Sequence, residues 1–299
     1  MTIRFQDFAR GTITICDGAW GTEFQKLGAK LGVCTDEWNL TKPHLVEQVA
    51  RSYVEAGSRV ILTNTFRANP IWLEPYGLRA QCEAINRAGV RISREAAGKE
   101  ALVFASMGPC GRQAGVKEAP VEQWKTTFSE QARALASEGP DAILLETFAD
   151  LDEARIAGAA ALETGLPVVA SFFFDPRRDP RRAIAAITPE IVAATMTSDG
   201  VHGVGANCGF RVRDFVSHCK RIADACPLPI WIKPNAGLPK IVDGAATYRM
   251  TAAEFAEFVP EFVEAGATFL GGCCGTTPEF IRELAQHPAL KETGGKAAG

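Results

Sequence analysis

The chain has 299 residues, with 32 Lys+Arg against 35 Asp+Glu, a formal net charge of -3, 46% hydrophobic and 22% charged residues. This composition excludes wholesale disorder, and its weak acidity argues against a surface built to bind nucleic acid. The longest charge-free run, Ala265–Pro278, has 14 residues and is rich in Gly, whereas a membrane span needs roughly 18 or more, so no membrane segment is expected.

The N-terminal MTIRFQDFAR carries charges where a signal peptide needs an apolar core. Short apolar runs then alternate with longer helical patterns. The runs are ITIC (13–16), VILTNTF (60–66), ALVFASMG (101–108), AILLETF (142–148), PVVASFFF (167–174), HGVGANC (202–208), PIWIKPN (229–235) and ATFLGGC (267–273). They lack strict polar alternation, which suits parallel strands buried on both faces. Among the helical stretches, Val121, Trp124, Phe128 and Leu135 fall at compatible spacing. Over 251–265, Phe255, Phe258, Val259, Phe262 and Val263 make one apolar stripe, with Thr251 and Glu254 spaced as a capping box and Pro260 as a kink inside the pattern. Gly57, Gly98, Gly139, Gly165, Gly200 and Gly266 each stand between a helical segment and the next apolar run. Eight such units predict a single-domain α/β fold, a (β/α)8 TIM barrel over residues 1–290, with KETGGKAAG (291–299) as a polar C-terminal tail. An open doubly wound sheet is the competing reading of the same alternation.

In such barrels chemistry sits at the C-terminal ends of the strands. The residues placed there are Cys16-Asp17-Gly18, Asn64-Thr65, Met107-Gly108, Glu146-Thr147, Asp175, Asn207-Cys208, Asn235 and Cys273-Cys274. The chain has nine cysteines, an odd number without the dense spacing of a secreted scaffold, which reads as a reducing, cytoplasmic compartment. Cys208 in GANCGF and Cys273-Cys274 in GGCCGTT end the sixth and eighth runs. Adjacent strand residues point to opposite faces, so Cys273 and Cys274 can serve one ion only where the strand breaks, and Gly271, Gly272 and Gly275 offer backbone freedom for that break. Three thiolates at an open site suit zinc, with the fourth position left for a substrate atom; such a centre holds a substrate thiol as thiolate at neutral pH. Buried core cysteines and a vicinal disulfide are the alternatives that spacing leaves open. Cys16, Cys34, Cys82, Cys110, Cys219 and Cys226 read as core. No His stands at a predicted strand end, which argues against a His-ligated metal or a Cys-His dyad.

The motifs DGAWGTEFQKLG (17–28), DEWNLTKPHLV (36–46), ILTNTF (61–66), GPDAILLETF (139–148), GANC (205–208), KPNAGLP (233–239) and GGCCGTTPEFI (271–281) resemble those of the zinc-dependent homocysteine S-methyltransferase family. The resemblance covers about residues 10 to 290. It implies a (β/α)8 barrel in which Cys208, Cys273 and Cys274 bind one Zn2+ and the sulfur of homocysteine takes the fourth place. It also implies that Asp17 and Glu146 grip the substrate ammonium and that Gly18 and Ala19 offer backbone N–H groups to its carboxylate. Asn235 resembles a residue beside the zinc, a weak oxygen ligand when substrate is absent.

Within the family, TNTF and PNAGLP look most like the homocysteine domain of corrinoid-dependent methionine synthase. The sequence has no corrinoid-binding DxHxxG segment, so a methylcobalamin donor is expected to arrive on a separate corrinoid protein or as free cofactor. The segment FFFDPRRDPRRAIAAITPE (172–190) departs from the family pattern and gathers Arg177, Arg178, Arg181 and Arg182 on a rim loop, read either as a solvated charged loop or as a docking patch for an acidic partner. The expected reaction is methyl transfer to homocysteine giving methionine. The alternatives are another donor such as S-methylmethionine or a betaine, another thiol acceptor, or a zinc- and thiol-binding module without turnover.

Overall fold

The computed structural model describes Phe8 and residues 12–110, 120–174, 187–242 and 245–293. Arg177, Arg178, Arg181, Arg182 and Asp175 lie outside the described residues, as do positions 294–299 of the expected tail, whose first residues belong to a helix, Pro288–Thr293.

Eight parallel strands form the centre: β1 (Thr14–Ile15), β2 (Val60–Leu62), β3 (Leu102–Met107), β4 (Ala142–Phe148), β5 (Val168–Phe172), β6 (Gly203–Asn207), β7 (Ile230–Lys233) and, after a two-stranded antiparallel hairpin of β8 (Lys240–Val242) and β9 (Ala245–Thr247), β10 (Phe269–Leu270). Their order is β1-β10-β7-β6-β5-β4-β3-β2, and a bridge between Cys16 and Val60 brings the two ends of the sheet together. The result is a (β/α)8 barrel, not an open sheet. All eight apolar runs supply a strand, although ITIC and VILTNTF keep only two or three ladder residues and then turn out at the mouth.

Two cores result from the alternation of side chains across the strands. Inside the barrel, Cys16, Val60, Leu62, Phe104, Ala142, Leu144, Val169, Trp231 and Phe269 pack together. Phe104, Trp231 and Phe269 form the densest part, with ring centroids 5.5–5.7 Å apart. The opposite faces, with Val103, Ala105, Ile143, Leu145, Val204 and Ile230, meet the helices. Gly205 pairs with Trp231, and a Cβ there would lie 1.8 Å from the Trp231 carbonyl oxygen, so only glycine lets β6 and β7 approach. The six glycines between helices and strands all take positive φ, from 53° to 108°.

The 251–265 segment is not one helix. Thr251 and Glu254 form a complete capping box on Ala252–Ala256, and a second helix, Val259–Glu264, starts with Pro260 in its first turn. Proline lacks the N–H that a continuous helix needs but fits a helix start, so the chain restarts there. In the helix Val121–Ala136, Trp124, Phe128 and Leu135 are buried while Val121 is exposed at its first position.

Candidate active site

A polar layer sits above the apolar barrel core, two residues further along five of the strands. Ser106 follows Phe104, Glu146 follows Leu144, Ser171 follows Val169, Asn207 follows Gly205 and Lys233 follows Trp231. Ser106 Oγ donates to Glu146 Oε2, and Ser171 Oγ donates to Asn207 Oδ1 at 2.6 Å.

The structure brings Cys208, Cys273 and Cys274 together, with all three Sγ atoms within 4.8 Å of one another. Cys208 leaves β6 in a left-handed conformation, φ 57°, with its N–H donating to Lys233 O at 3.1 Å. The last strand ends at Leu270, and the backbone turns so that Gly272 N donates to Asp17 O, Cys273 N to Pro234 O and Thr276 N to Cys273 O. This break lets consecutive cysteines share a site. Only Gly275 contributes by positive φ (85°); Gly271 and Gly272 contribute by lacking a Cβ, which would fall 2.6 Å from Asp17 O and 2.3 Å from Thr276 Oγ1. All nine cysteines are free thiols, and the six read as core are buried.

Hydrogen bonds from Cys273 and Cys274 pull the Cys208 thiol well below its usual pKa against the opposing effect of burial. Donating to Cys208 pushes Cys273 up to about 12, and Cys274 is also raised by its bonds to Cys208 and Cys273. Three thiols in mutual hydrogen-bond reach are a donor set that suits a divalent cation replacing their protons. Asn235 Nδ2 donates to Gly209 O at 2.7 Å and reaches Cys208 Sγ at 3.5 Å, while its Oδ1 is buried without a hydrogen-bond partner among the described residues.

Asn207 ties the site together. Its Oδ1 accepts from Thr147 N (3.0 Å) and Ser171 Oγ, and its Nδ2 donates to Thr147 Oγ1 (2.6 Å) and reaches Cys273 Sγ (3.8 Å). Thr147 is held at φ 63°, where the β4–β5 register shifts, and this irregularity sets Glu146 at the cavity. Burial pushes the Glu146 carboxyl up to about 7, with Lys233 opposing and Cys273 adding to the rise.

Asp17 is placed differently from Glu146. It is fully buried, and both its oxygens are engaged: Oδ1 by Lys233 Nζ, Oδ2 by Leu62 N (2.8 Å) and Trp20 Nε1 (2.7 Å). The cavity above the cluster, about 520 Å³, is lined by Ala19, Glu146, Lys233, Tyr248 and the three cysteines among others, and Asp17 is not among its lining residues. Of the two carboxylates expected at the substrate ammonium, Glu146 lines the cavity, while Asp17 lies beneath it, paired with Lys233. Gly18 and Ala19 do line the cavity, and a Cβ on Gly18 would lie 2.8 Å from the Tyr53 ring, so the backbone runs close there. Asn64 lines the cavity but donates to Thr35 O and Asn39 Oδ1, and Thr65 is buried on Ser106 O. Lys233, Asn207 and Tyr248 are site residues without a role in the sequence reading. A charged residue inside the apolar run PIWIKPN was the available signal for Lys233, because an ionised group in a buried strand needs a partner.

A family model described as homocysteine S-methyltransferase matches residues 14–287. The chain is 30% identical to methionine synthase of Mycobacterium tuberculosis over 294 residues, 91% of this chain and 24% of that protein. It is 30% identical to methionine synthase of Mycobacterium leprae over 303 residues, 94% of this chain and 25% of that protein. It thus spans about a quarter of the length of these relatives. Among solved structures, the homocysteine methyltransferase of Escherichia coli in its metallated form has a TM-score of 0.77 at 24% identity, covering 91% of this chain and 95% of that one, a likeness of fold.

Proposed function

Because the chain belongs to the homocysteine S-methyltransferase family, we infer that it transfers a methyl group to the sulfur of homocysteine and yields methionine. The observation that carries this reading is three sulfurs within 4.8 Å of one another on the wall of a cavity that also presents Glu146. Cys208, Cys273 and Cys274 would hold zinc. When bound, zinc supplies a Lewis acid that keeps a substrate thiol ionised at neutral pH.

The chain's own residues supply the rest. Glu146 takes the substrate ammonium by charge-assisted hydrogen bonds, and Gly18 and Ala19 bring backbone close to its other end. Holding the amino-acid end fixes the direction of the sulfur, which is what an in-line displacement needs. In the transfer, a bond forms between the homocysteine sulfur and the methyl carbon, the bond from that carbon to the donor breaks with its electron pair, and the thiol proton has already gone to solvent.

The donor is read as a methylcorrinoid. Support comes from TNTF and PNAGLP and from relatives named methionine synthase. Free thiols throughout the described core suit a reducing compartment such as the cytoplasm. No helix of the described residues is long and apolar enough to cross a membrane. The test is metal analysis with turnover, using methylcobalamin, S-methylmethionine and betaine in parallel. Cys273→Ser and Cys274→Ser should each lose zinc and homocysteine methylation; variants that keep a full zinc equivalent and full turnover would sink the mechanism.

A further inference from the structure

The cavity of about 520 Å³ is within the range that holds a drug-sized ligand, so it has room for more than one small amino acid. It also spans the barrel mouth. Cys208 follows β6, whereas Arg67, another lining residue, follows β2. In the closed ring β1, β10 and β7 separate these two strands, so they face each other across the barrel. Arg67 is held at both ends. Its backbone N–H donates to Asp36 Oδ1 at 2.9 Å, and its guanidinium lies over the ring of Trp72, 4.8 Å from the centroid. Trp72 is fixed in turn, with Nε1 donating to Pro109 O at 2.8 Å and its backbone N–H to Asn69 Oδ1 at 3.0 Å. Yet among the described residues the Arg67 guanidinium makes no ion pair and no hydrogen bond, whereas Arg94, Arg155 and Arg221 each pair with a carboxylate. The neighbouring Asp36 is buried, and its Oδ1 is committed to the backbone. Of the charged residues lining the cavity, Arg67 and Lys30 are the exposed ones, and both are cations.

We propose that Arg67 anchors a second subsite, across the mouth from the sulfurs, that takes an anionic oxygen group of the methyl donor, a carboxylate or a phosphate. A guanidinium offers five N–H donors in a planar fork that matches either group. Stacked on Trp72 and tied down through its backbone, it loses little freedom when an anion arrives, so its hydrogen bonds go into affinity. Lys30 adds a second positive charge on the same lining. An anion held on this side leaves the methyl-bearing end of the donor free to face the sulfurs. Betaine and S-methylmethionine carry a carboxylate and methylcobalamin carries a phosphodiester, so each candidate donor has a group of the required chemistry. That the anion belongs to the donor rests on the methyl-transfer reading of the cavity.

The experiment is calorimetric titration of zinc-loaded protein, free of homocysteine, with donors in pairs: betaine and its methyl ester, S-methylmethionine and (3-aminopropyl)dimethylsulfonium, methylcobalamin and methylcobinamide. The second member of each pair lacks the anion. In the wild type, losing the anion should weaken binding roughly 10- to 100-fold in at least one pair, the range for hydrogen bonds to a charged group. The pair that shows the penalty tells carboxylate from phosphate. In Arg67→Met, which keeps an apolar stem on Trp72, the penalty should fall to about threefold or less, while homocysteine affinity stays within about twofold of wild type. Arg67→Lys should keep a reduced penalty, since an ammonium retains the charge but not the fork. Zinc content and melting temperature report on folding of both variants. Overturning results are a wild type that binds no donor or shows no penalty, a full penalty in Arg67→Met, or an equal loss of homocysteine affinity there, which would put the guanidinium on the acceptor. A wild type that shows the Arg67-dependent penalty but does not bind homocysteine sinks the methyl-transfer reading and leaves the anion subsite standing.

Discussion

Replacing Asn207 by Ala should destabilise the metal-free protein by about 3 kcal/mol, from three lost hydrogen bonds at about 1 kcal/mol each. Those bonds are the two to Thr147 and the one from Ser171, at 2.6–3.0 Å in a fully buried position. Thr147 adds a specific dependence. A non-glycine residue at φ 63° costs roughly 1–2 kcal/mol, and the side chain of Asn207 is what holds it there. For a chain of this size the loss corresponds to a fall of about 5 °C in melting temperature. The assay is thermal and denaturant unfolding under reducing conditions, repeated in a Thr147→Gly background. Thr147→Gly deletes the Oγ1 acceptor, so one of the three bonds is already gone and the cost of Asn207→Ala should shrink by about 1 kcal/mol there. Because Nδ2 also reaches Cys273 Sγ, zinc affinity should fall roughly tenfold in Asn207→Ala. A cost under about 0.5 kcal/mol, or the same cost in both backgrounds, would refute the view that Asn207 holds the site in shape.

Three further outcomes follow from the same structure. Glu146, pushed up to about 7 by burial, must be ionised to hold an ammonium, so affinity for methionine (which has no thiol to titrate) should rise through about pH 7 in the wild type and lose that step in Glu146→Gln. The stability sign is the opposite: a raised carboxyl contributes fully below its ordinary value near 4.5 and loses that contribution as pH rises through 7, so Glu146→Gln should melt higher than wild type at pH 8, and an equal or lower melting point would contradict the raised value. Gly205→Ala should fail to fold or melt at least about 10 °C lower, since its Cβ has backbone 1.8 Å away; a melting point within about 2 °C of wild type would show that β6 and β7 can separate freely. Thr251→Ala should cost about 1 kcal/mol through the capping box, and Glu254→Ala should add little to it; full additivity in chemical denaturation would argue that the two act apart.

What the sequence showed was mostly local. Apolar runs, helix-ending glycines and the Thr251/Glu254 spacing are short-range signals, and each corresponds to an element of the fold. The split of the 251–265 segment was half visible, because Pro260 marked the place but not whether the chain would bend or restart. The β8–β9 hairpin went unread, since its strands have three residues each and β8 is exposed along its length. At the site, the cysteines were legible because sulfur at strand ends is chemically distinctive. The partnership of Asp17 with Lys233 was not, since it joins residues at opposite ends of the chain and depends on which strands become neighbours. Asn207 was placed at a strand end, but its task depends on the left-handed turn at Thr147, and nothing in the local sequence announces that conformation.

The ladder order places the two-residue strand Phe269–Leu270 between the first strand and Ile230–Lys233. The segment that completes the ring is thus also the segment that delivers two of the three sulfurs. During synthesis from the N-terminus, the growing polypeptide has neither a finished cylinder nor a place for a cation until residues 269–274 have emerged. Circularisation and metallation competence thus arrive as one event, and a nascent chain stalled short of Cys274 would have at most two of the three sulfurs.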